Sequence, residues 1–221
     1  MTVKLFGGIN ECLDGTFSIT PHMPLGRLSA DKLKAIADIV ERFGLPGVQA
    51  NTAQRIVIEG IPADSVNEVV KMLKEIGNDC PQSIIACKGY GKCKRGLQDT
   101  QGLAMRIEQM FIGFSHMPAH LKVGLSGCPR CCGASYVKGI GLVGNNHGWT
   151  LVFGGNAGRM VRCGDEIMVD TPQEHVLEVL KEILFFYIDN AKKGERTARF
   201  VERLGFDFIS STFLKPRKAK Q

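Results

Sequence analysis

No stretch of this 221-residue chain is long and apolar enough to span a bilayer. The longest strongly apolar run near the C-terminus, Ile183 to Ile188, falls far short of the roughly 20 residues that a membrane helix needs. The opening residues MTVKLFGGIN hold neither a signal-peptide apolar core nor a small-residue cleavage site, so a soluble cytoplasmic protein is expected. Disorder is excluded, because 44% of the chain is hydrophobic and only 23% is charged. No G-x-G-x-x-G fingerprint follows a strand, which removes a dinucleotide site of that kind. No helix or strand presents a basic face interleaved with aromatics, which argues against a nucleic-acid surface. Internal repeats and low-complexity linkers are also lacking.

Two residue types stand out instead. The chain has 26 glycines, well above the usual share of about 7%. Extra glycine in a non-repetitive chain means tight loops and close approach of backbone to something bulky. It also has 8 cysteines. In a cytosolic setting disulfides are disfavoured, so clustered cysteines point to metal or catalysis. The formal charge of +6 and pI of about 8.9 suit an anionic partner such as a phosphate, a polycarboxylate or a small oxyanion. Part of that charge belongs to the tail from Lys215 to Lys220, which reads as a solvated end.

Residues 1–78 read as a compact α/β unit. Thr16 to Thr20 suggests a strand, and Pro21 to Gly26 a loop. Ser29 is placed as an N-cap, Leu33, Ile36, Ala37, Val40 and Phe43 follow at helical spacing, and Gly44 closes the helix. Arg55 to Ile58 predicts a β-branched strand. Pro62 is then the expected start of a second helix with Val66, Val69, Val70, Leu73 and Ile76 as its stripe, ended by Gly77. This order resembles half of a ferredoxin-like sandwich.

Residues 79–221 differ in texture. A loop rich in Cys, Gly and Lys covers 80–96, and a helix is predicted from Leu97 to Phe111. A strand from Leu121 to Leu125 delivers the chain into a second cysteine loop. Strands follow at Ile140 to Val143 and Thr150 to Phe153, then a glycine loop from Gly154 to Gly158. Thr171-Pro172-Gln173-Glu174 reads as a capping box opening a helix to about Lys192, apolar over a wide arc and so expected in the core. A last helix is expected from Glu195 to Leu204.

Four cysteines fall into two pairs, Cys87-x5-Cys93 and Cys128-x3-Cys132, both in loops bearing glycine or proline. Four thiolates are the usual complement of an iron–sulfur cluster. Structural zinc is the rival, although its knuckles use shorter spacings, and unligated thiols are a third reading. Cys131 offers an alternative C-x2-C pairing, so spacing leaves the ligand set open. Cys12, Cys80 and Cys163 have no paired pattern and are expected as small buried hydrophobes.

The runs ACKGYGKCKRG and KVGLSGCPRCCG resemble the two cysteine motifs of the sirohaem-containing sulfite and nitrite reductases. GWTLVFGGNAGRMVR and ERTARFVERLGFD downstream, and PLGRL and AQRIVIEGI upstream, are similar to other parts of that family. The length resembles that of the small assimilatory-type sulfite reductases of anaerobic prokaryotes. The resemblance implies an α+β fold, a ferredoxin-like half-domain (residues 1–78) packed on a sirohaem- and 4Fe–4S-binding α+β domain (residues 79–221).

It further implies that Cys87, Cys93, Cys128 and Cys132 hold a 4Fe–4S cluster and that Cys132 also ligates the sirohaem iron. The implied reaction is the six-electron reduction of sulfite to sulfide. Nitrite to ammonia on the same site is the near alternative, and an iron–sulfur carrier lacking sirohaem a more distant one. Burying the macrocycle's carboxylates requires cations and N–H groups. Lys88, Lys92, Lys94 and Arg95 flank the first pair, and Arg162 follows the glycine loop, but Arg130, Asn156 and Arg159 lie within the motifs and are the candidates. By the same resemblance, Arg55, His120 and Lys122 are the cations expected to bind the oxyanion and supply protons, with His120 standing where many members carry lysine. No flavin domain fits the chain, so an external donor such as ferredoxin is implied. A homodimer is the expected assembly, and neither nucleic acid nor membrane is an expected partner.

Overall fold

The computed structural model describes residues 8–74, 82–112, 114 and 116–213. The chain divides into two compact units, Met1–Cys80 and Pro81–Gln221.

The first unit is built from two antiparallel hairpins, each followed by a helix. Strands β1 (Ile9–Glu11) and β2 (Phe17–Ile19) precede helix α1 (Ala30–Arg42), and strands β3 (Val48–Ala50) and β4 (Ile56–Ile61) precede helix α2 (Val66–Leu73). The sheet order is β1-β2-β4-β3. Ile19, Ile39, Ile58, Ile61 and Val69 are fully buried where the sheet meets the helices. Ser29 caps α1 as expected, its hydroxyl accepting from the Lys32 N–H at 3.2 Å. Gly44, at φ +57°, turns the chain so that the Leu45 N–H reaches the Val40 carbonyl at 2.9 Å.

Several local expectations change here. Leu33 and Ala37 are exposed, and Ile36 and Ile39 form the buried stripe of α1. Pro62 lies in a turn closed by the Ser65 N–H on its carbonyl at 3.0 Å, and the helix begins only at Val66. Gly77, Ile76 and Cys80 lie outside the described residues. Strands β1 and β3 were not legible: each has three residues, and β3 is exposed throughout, so neither carries an alternating pattern.

The second unit has a five-stranded sheet in the order β5-β6-β7-β8-β9. Strands β5 (Gln82–Ala86), β6 (Leu121–Ser126) and β7 (Ile140–Asn145) run parallel, and β8 (Gly148–Phe153) and β9 (Asp165–Thr171) complete the sheet antiparallel. Helix α3 (Thr100–Ile112) forms the crossover from β5 to β6, and α4 (Gln173–Asn190), α5 (Thr197–Leu204) and α6 (Phe206–Phe213) follow the last strand. Every residue of β8 is buried, Trp149 included, because both faces of the sheet are covered there.

Strand β5 occupies part of the stretch expected to be loop, and α3 starts at Thr100 rather than Leu97. The reason lies in the intervening residues: the Leu97 and Gln98 N–H groups are both committed to the Gly127 carbonyl, at 2.7 and 3.1 Å. The expected capping box does not form. The Thr171 hydroxyl turns back to the Val169 carbonyl at 3.0 Å, and Glu174 pairs with Arg106 instead. Glu195 precedes α5 and holds Arg203. The wide apolar arc of α4 has two destinations. Val176, Leu180, Ile183, Leu184 and Tyr187 enter the core, while Phe186 meets the rings of Phe200, Phe208 and Phe213, centroids 5.5–6.3 Å away. Phe185 stays exposed.

Candidate metal and cofactor site

The two cysteine loops leave from the carboxyl ends of the adjacent parallel strands β5 and β6, the end where α/β sheets place their ligands. Cys87 follows directly on Ala86, and its N–H reaches the Leu125 carbonyl at 3.1 Å. Its own carbonyl accepts from the Thr100 hydroxyl at 2.6 Å and from the Gln101 amide at 2.9 Å. The thiol of Cys87 accepts from the Gly127 N–H at 3.2 Å. The loops are therefore knit together one residue before Cys128.

Glycine makes that approach possible. A Cβ on Gly127 would lie 2.9 Å from both the Gln98 carbonyl oxygen and the Gly89 Cα. A Cβ on Gly96 would collide with the Gly89 backbone, and one on Gly133 with the Leu125 backbone. Behind the second loop sits a buried hydroxyl pair. Ser126 and Ser135 are 2.8 Å apart, the Gly133 N–H donates to Ser126 at 2.9 Å, and Ser135 donates to the Leu142 carbonyl at 3.1 Å. Cys131 and Ala134 take left-handed φ values of 52° and 54°, which wind the loop tightly. Burial pushes the Cys131 thiol pKa up, and the neighbouring Cys128 and Cys132 add to that. Beside it, a hydrogen bond to Glu166 helps push the Tyr136 phenol up to about 12.

Cys87 and Cys128 are half-buried, and Cys93 and Cys132 are exposed. Among the described residues no three His, Cys, Asp or Glu side chains gather tightly enough for a single metal ion. A lone zinc draws each thiolate to about 2.3 Å of one point. A four-iron cube takes each thiolate on a different corner, so its ligands stay farther apart. Two loops joined by the Gly127–Cys87 hydrogen bond can offer thiols from both sides to such a centre. Of the other cysteines, Cys163 is exposed and Cys12 only half-buried, so neither is the buried hydrophobe expected.

Asn156 is half-buried and already committed: its side-chain amide donates to the Met160 carbonyl at 2.6 Å, and its backbone exchanges hydrogen bonds with Arg162 at 2.8 and 2.9 Å. Arg162 fastens the same loop, reaching the Gly154 and Cys163 carbonyls at 3.0 Å and pairing with Asp165. Arg130 and Arg159 are exposed. Arg55 sits just before β4, in the hairpin end, and not on the strand as expected. Its N–H is held by Asn51 Oδ1 at 3.1 Å and its guanidinium reaches the Gln54 carbonyl at 3.5 Å.

His120 and Lys122 stand at the amino end of β6. From Lys122 to Cys128 is roughly 20 Å of largely extended chain at about 3.3 Å per residue. Beyond Cys128 the chain folds back, with the Gly133 carbonyl set against Gly124, and His120 and Lys122 stand close to Arg196 and Lys138. Burial, Lys122 and Arg196 lower the pKa of His120, and burial with Lys122 lowers that of Lys138. The neutral imidazole therefore predominates at neutral pH. Lys138 carried no sequence signal, and Arg196 lies in the run ERTARFVERLGFD but was not singled out; the turn beyond β6 and the turn before α5 bring them there. The contact of Gly194 N–H with the Pro118 carbonyl at 2.7 Å fixes the second of these.

A mixed sheet with paired cysteine loops at its parallel ends suits a protein that binds a metal-containing cofactor. Residues 77–220 match the nitrite and sulphite reductase 4Fe-4S domain, and residues 13–76 the nitrite/sulfite reductase ferredoxin-like half domain. The chain belongs to the nitrite and sulfite reductase family, and is an oxidoreductase of the kind that works with a 4Fe–4S cluster and sirohaem.

An assimilatory-type sulfite reductase of Nitratidesulfovibrio vulgaris is 34% identical over 203 residues, covering 90% of this chain and 93% of that protein. A nitrite reductase [NAD(P)H] of Bacillus subtilis is 33% identical over 217 residues, covering 94% of this chain but 26% of its own length. The NirA protein of Mycobacterium tuberculosis shares the fold, with a TM-score of 0.74 at 20% identity over 95% of this chain and 42% of its own. Among the described residues no helix is long and apolar enough to cross a membrane.

Proposed function

We propose that the chain is a sulfite reductase, converting sulfite to sulfide with six electrons and six protons and releasing three waters. The observation that carries this reading is the match to the assimilatory-type sulfite reductase, which covers nearly the full length of both proteins. Nitrite reduction is the second reading, favoured by the similarity to the Bacillus subtilis enzyme over 94% of this chain.

In this proposal Cys87, Cys93, Cys128 and Cys132 would hold the 4Fe–4S cluster, and Cys132 would also serve the sirohaem. When bound, these groups would supply the electrons for reduction of the oxyanion. The chain's own part is to hold the thiols apart and in place. The glycine contacts and the Gly127–Cys87 hydrogen bond do this without side-chain bulk in the way. Arg130 and Arg159, exposed and lacking a partner among the described residues, are the cations that would pair with carboxylates of the macrocycle. Lys122 and Arg196 concentrate positive charge around His120, with Lys138 beside Lys122, and their combined field draws small anions toward the protein. Arg55, just before β4, is the candidate cation on the first unit.

The test is steady-state turnover of anaerobically prepared protein with a reduced viologen dye and either sulfite or nitrite. Faster turnover of sulfite is expected, judged by kcat/KM. Preference for nitrite selects the second reading, and turnover of neither, in protein carrying both cofactors, overturns both.

A further inference from the structure

We infer that the loop between Cys87 and Leu97 is the docking surface for an acidic one-electron carrier protein. The inference rests on the proposed role of Cys93 as a cluster ligand. Lys88, Lys92, Lys94 and Arg95 place four cations within eight residues, with no carboxylate among them. All four are exposed, and so are Cys93 and Tyr90, the latter at 68%. Among the described residues none of the four cations takes part in an ion pair or a side-chain hydrogen bond. Arg106, Arg199 and Arg203 on the same unit, by contrast, are each paired with a carboxylate.

The loop does not need these charges for its shape. The Tyr90 N–H bonds the Gln98 carbonyl at 2.9 Å, the Cys93 N–H the Gly89 carbonyl at 3.0 Å, and the Gly96 N–H the Cys93 carbonyl at 2.9 Å. A backbone scaffold therefore presents unneutralised cations and one aromatic ring around an exposed sulfur. Mutual repulsion among such cations is relieved by a negatively charged partner, and a rim of this kind sets association rate and orientation while an aromatic residue anchors contact. Contact at Cys93 would bring a donor to an exposed sulfur of the metal centre. Each encounter oxidises a reduced carrier by one electron, and six encounters match one sulfite. An acidic iron–sulfur or flavin carrier has both the charge and the electron count.

The test uses the protein carrying its cofactors and a reduced bacterial-type two-cluster ferredoxin as the probe. A Lys92→Glu/Lys94→Glu variant is compared with the wild type by calorimetric binding and by turnover with ferredoxin or with a reduced viologen dye. The expected result is a roughly tenfold or greater rise in Kd and in the KM for ferredoxin, with dye-driven turnover within about twofold of wild type. Wild-type binding should weaken steeply as ionic strength rises, and the variant's should not. Tyr90→Ala should weaken binding with no change in its salt dependence. Unchanged ferredoxin binding in the charge-reversed variant overturns the inference. So does loss of iron, sirohaem or dye-driven turnover in that variant, because these lysines would then serve the cofactors. Wild-type protein that carries no cluster defeats the functional reading instead, and calorimetry on that protein still reports on the patch alone.

Discussion

The Gly127 N–H donates to the Cys87 thiol at 3.2 Å, so the residue leading into the second cysteine pair holds the first cysteine of the first pair. Cys87 and Gly127 lie 40 positions apart in the chain, yet each ends a strand of one parallel couple.

Gly127→Ala tests how closely the loops must approach. The added methyl meets backbone atoms of Gln98 and Gly89, which cannot rotate away. A loss of about 1–3 kcal/mol in stability is expected from overpacking. Iron and acid-labile sulfide per chain should fall together. Full cluster content with unchanged denaturant midpoint would show that the loops have slack.

Ser126→Ala addresses the support behind the second loop. It removes the acceptor of the buried Gly133 N–H and the neighbour of Ser135. Leaving that donor unsatisfied costs about 1–3 kcal/mol. Chemical denaturation should show this, and Ser126→Thr should recover part of it by keeping the hydroxyl.

Cys131 and Cys132 are adjacent in sequence but differ in exposure and backbone conformation. Cys132→Ser should abolish the coupled visible and electron-paramagnetic signals, whereas Cys131→Ser should keep iron and sulfide near wild type. The reverse pattern would move the ligand assignment to the C-x2-C pair.

His120 should titrate below the ordinary imidazole value of about 6.5. Burial disfavours its cation, as do Lys122 and Arg196. Removing a neighbouring positive charge favours protonation, so Lys122→Ala and Arg196→Ala should each raise the pKa in an NMR titration. A value that neither substitution moves would show that burial alone sets it.

Glu195 gives the fold an acid-sensitive tie. It accepts from the Arg203 Nε and Nη2 at 2.7 Å and from the Lys192 N–H at 2.9 Å, and these bonds lower its pKa to about 2. The folded value lies below the unfolded one, so the stabilisation is complete above about pH 4.5 and disappears as pH falls toward 2. The difference in thermal midpoint between wild type and Glu195→Gln should therefore be largest near pH 6 and vanish near pH 2. A gap that persists at the lower pH would point to packing rather than charge.

The central elements and the cysteine pairs were legible because local chemistry states them: Ser29 and Gly44 bound α1, and the stretch Leu121 to Leu125 reads as a strand. What escaped was set by distant partners. Leu97 and Gln98 fall outside α3 because Gly127, about 30 positions away, takes their N–H groups. Thr171 and Glu174 have a capping-box spacing, but Val169 and Arg106 compete for their side chains and win. Asn156 was legible as a motif residue, not as one whose amide is spent on Met160. The grouping of Lys122 with Lys138 and Arg196 follows from chain reversals, which a short motif does not encode.

The sole tryptophan, Trp149, lies completely buried in β8, and Tyr90, Tyr136 and Tyr187 fall in the same unit. Ultraviolet emission excited at the indole band thus reports melting of the five-stranded sheet and is blind to the smaller antiparallel unit. A stopped-flow trace and a circular-dichroism trace recorded on one sample would then separate the two unfolding events without any label.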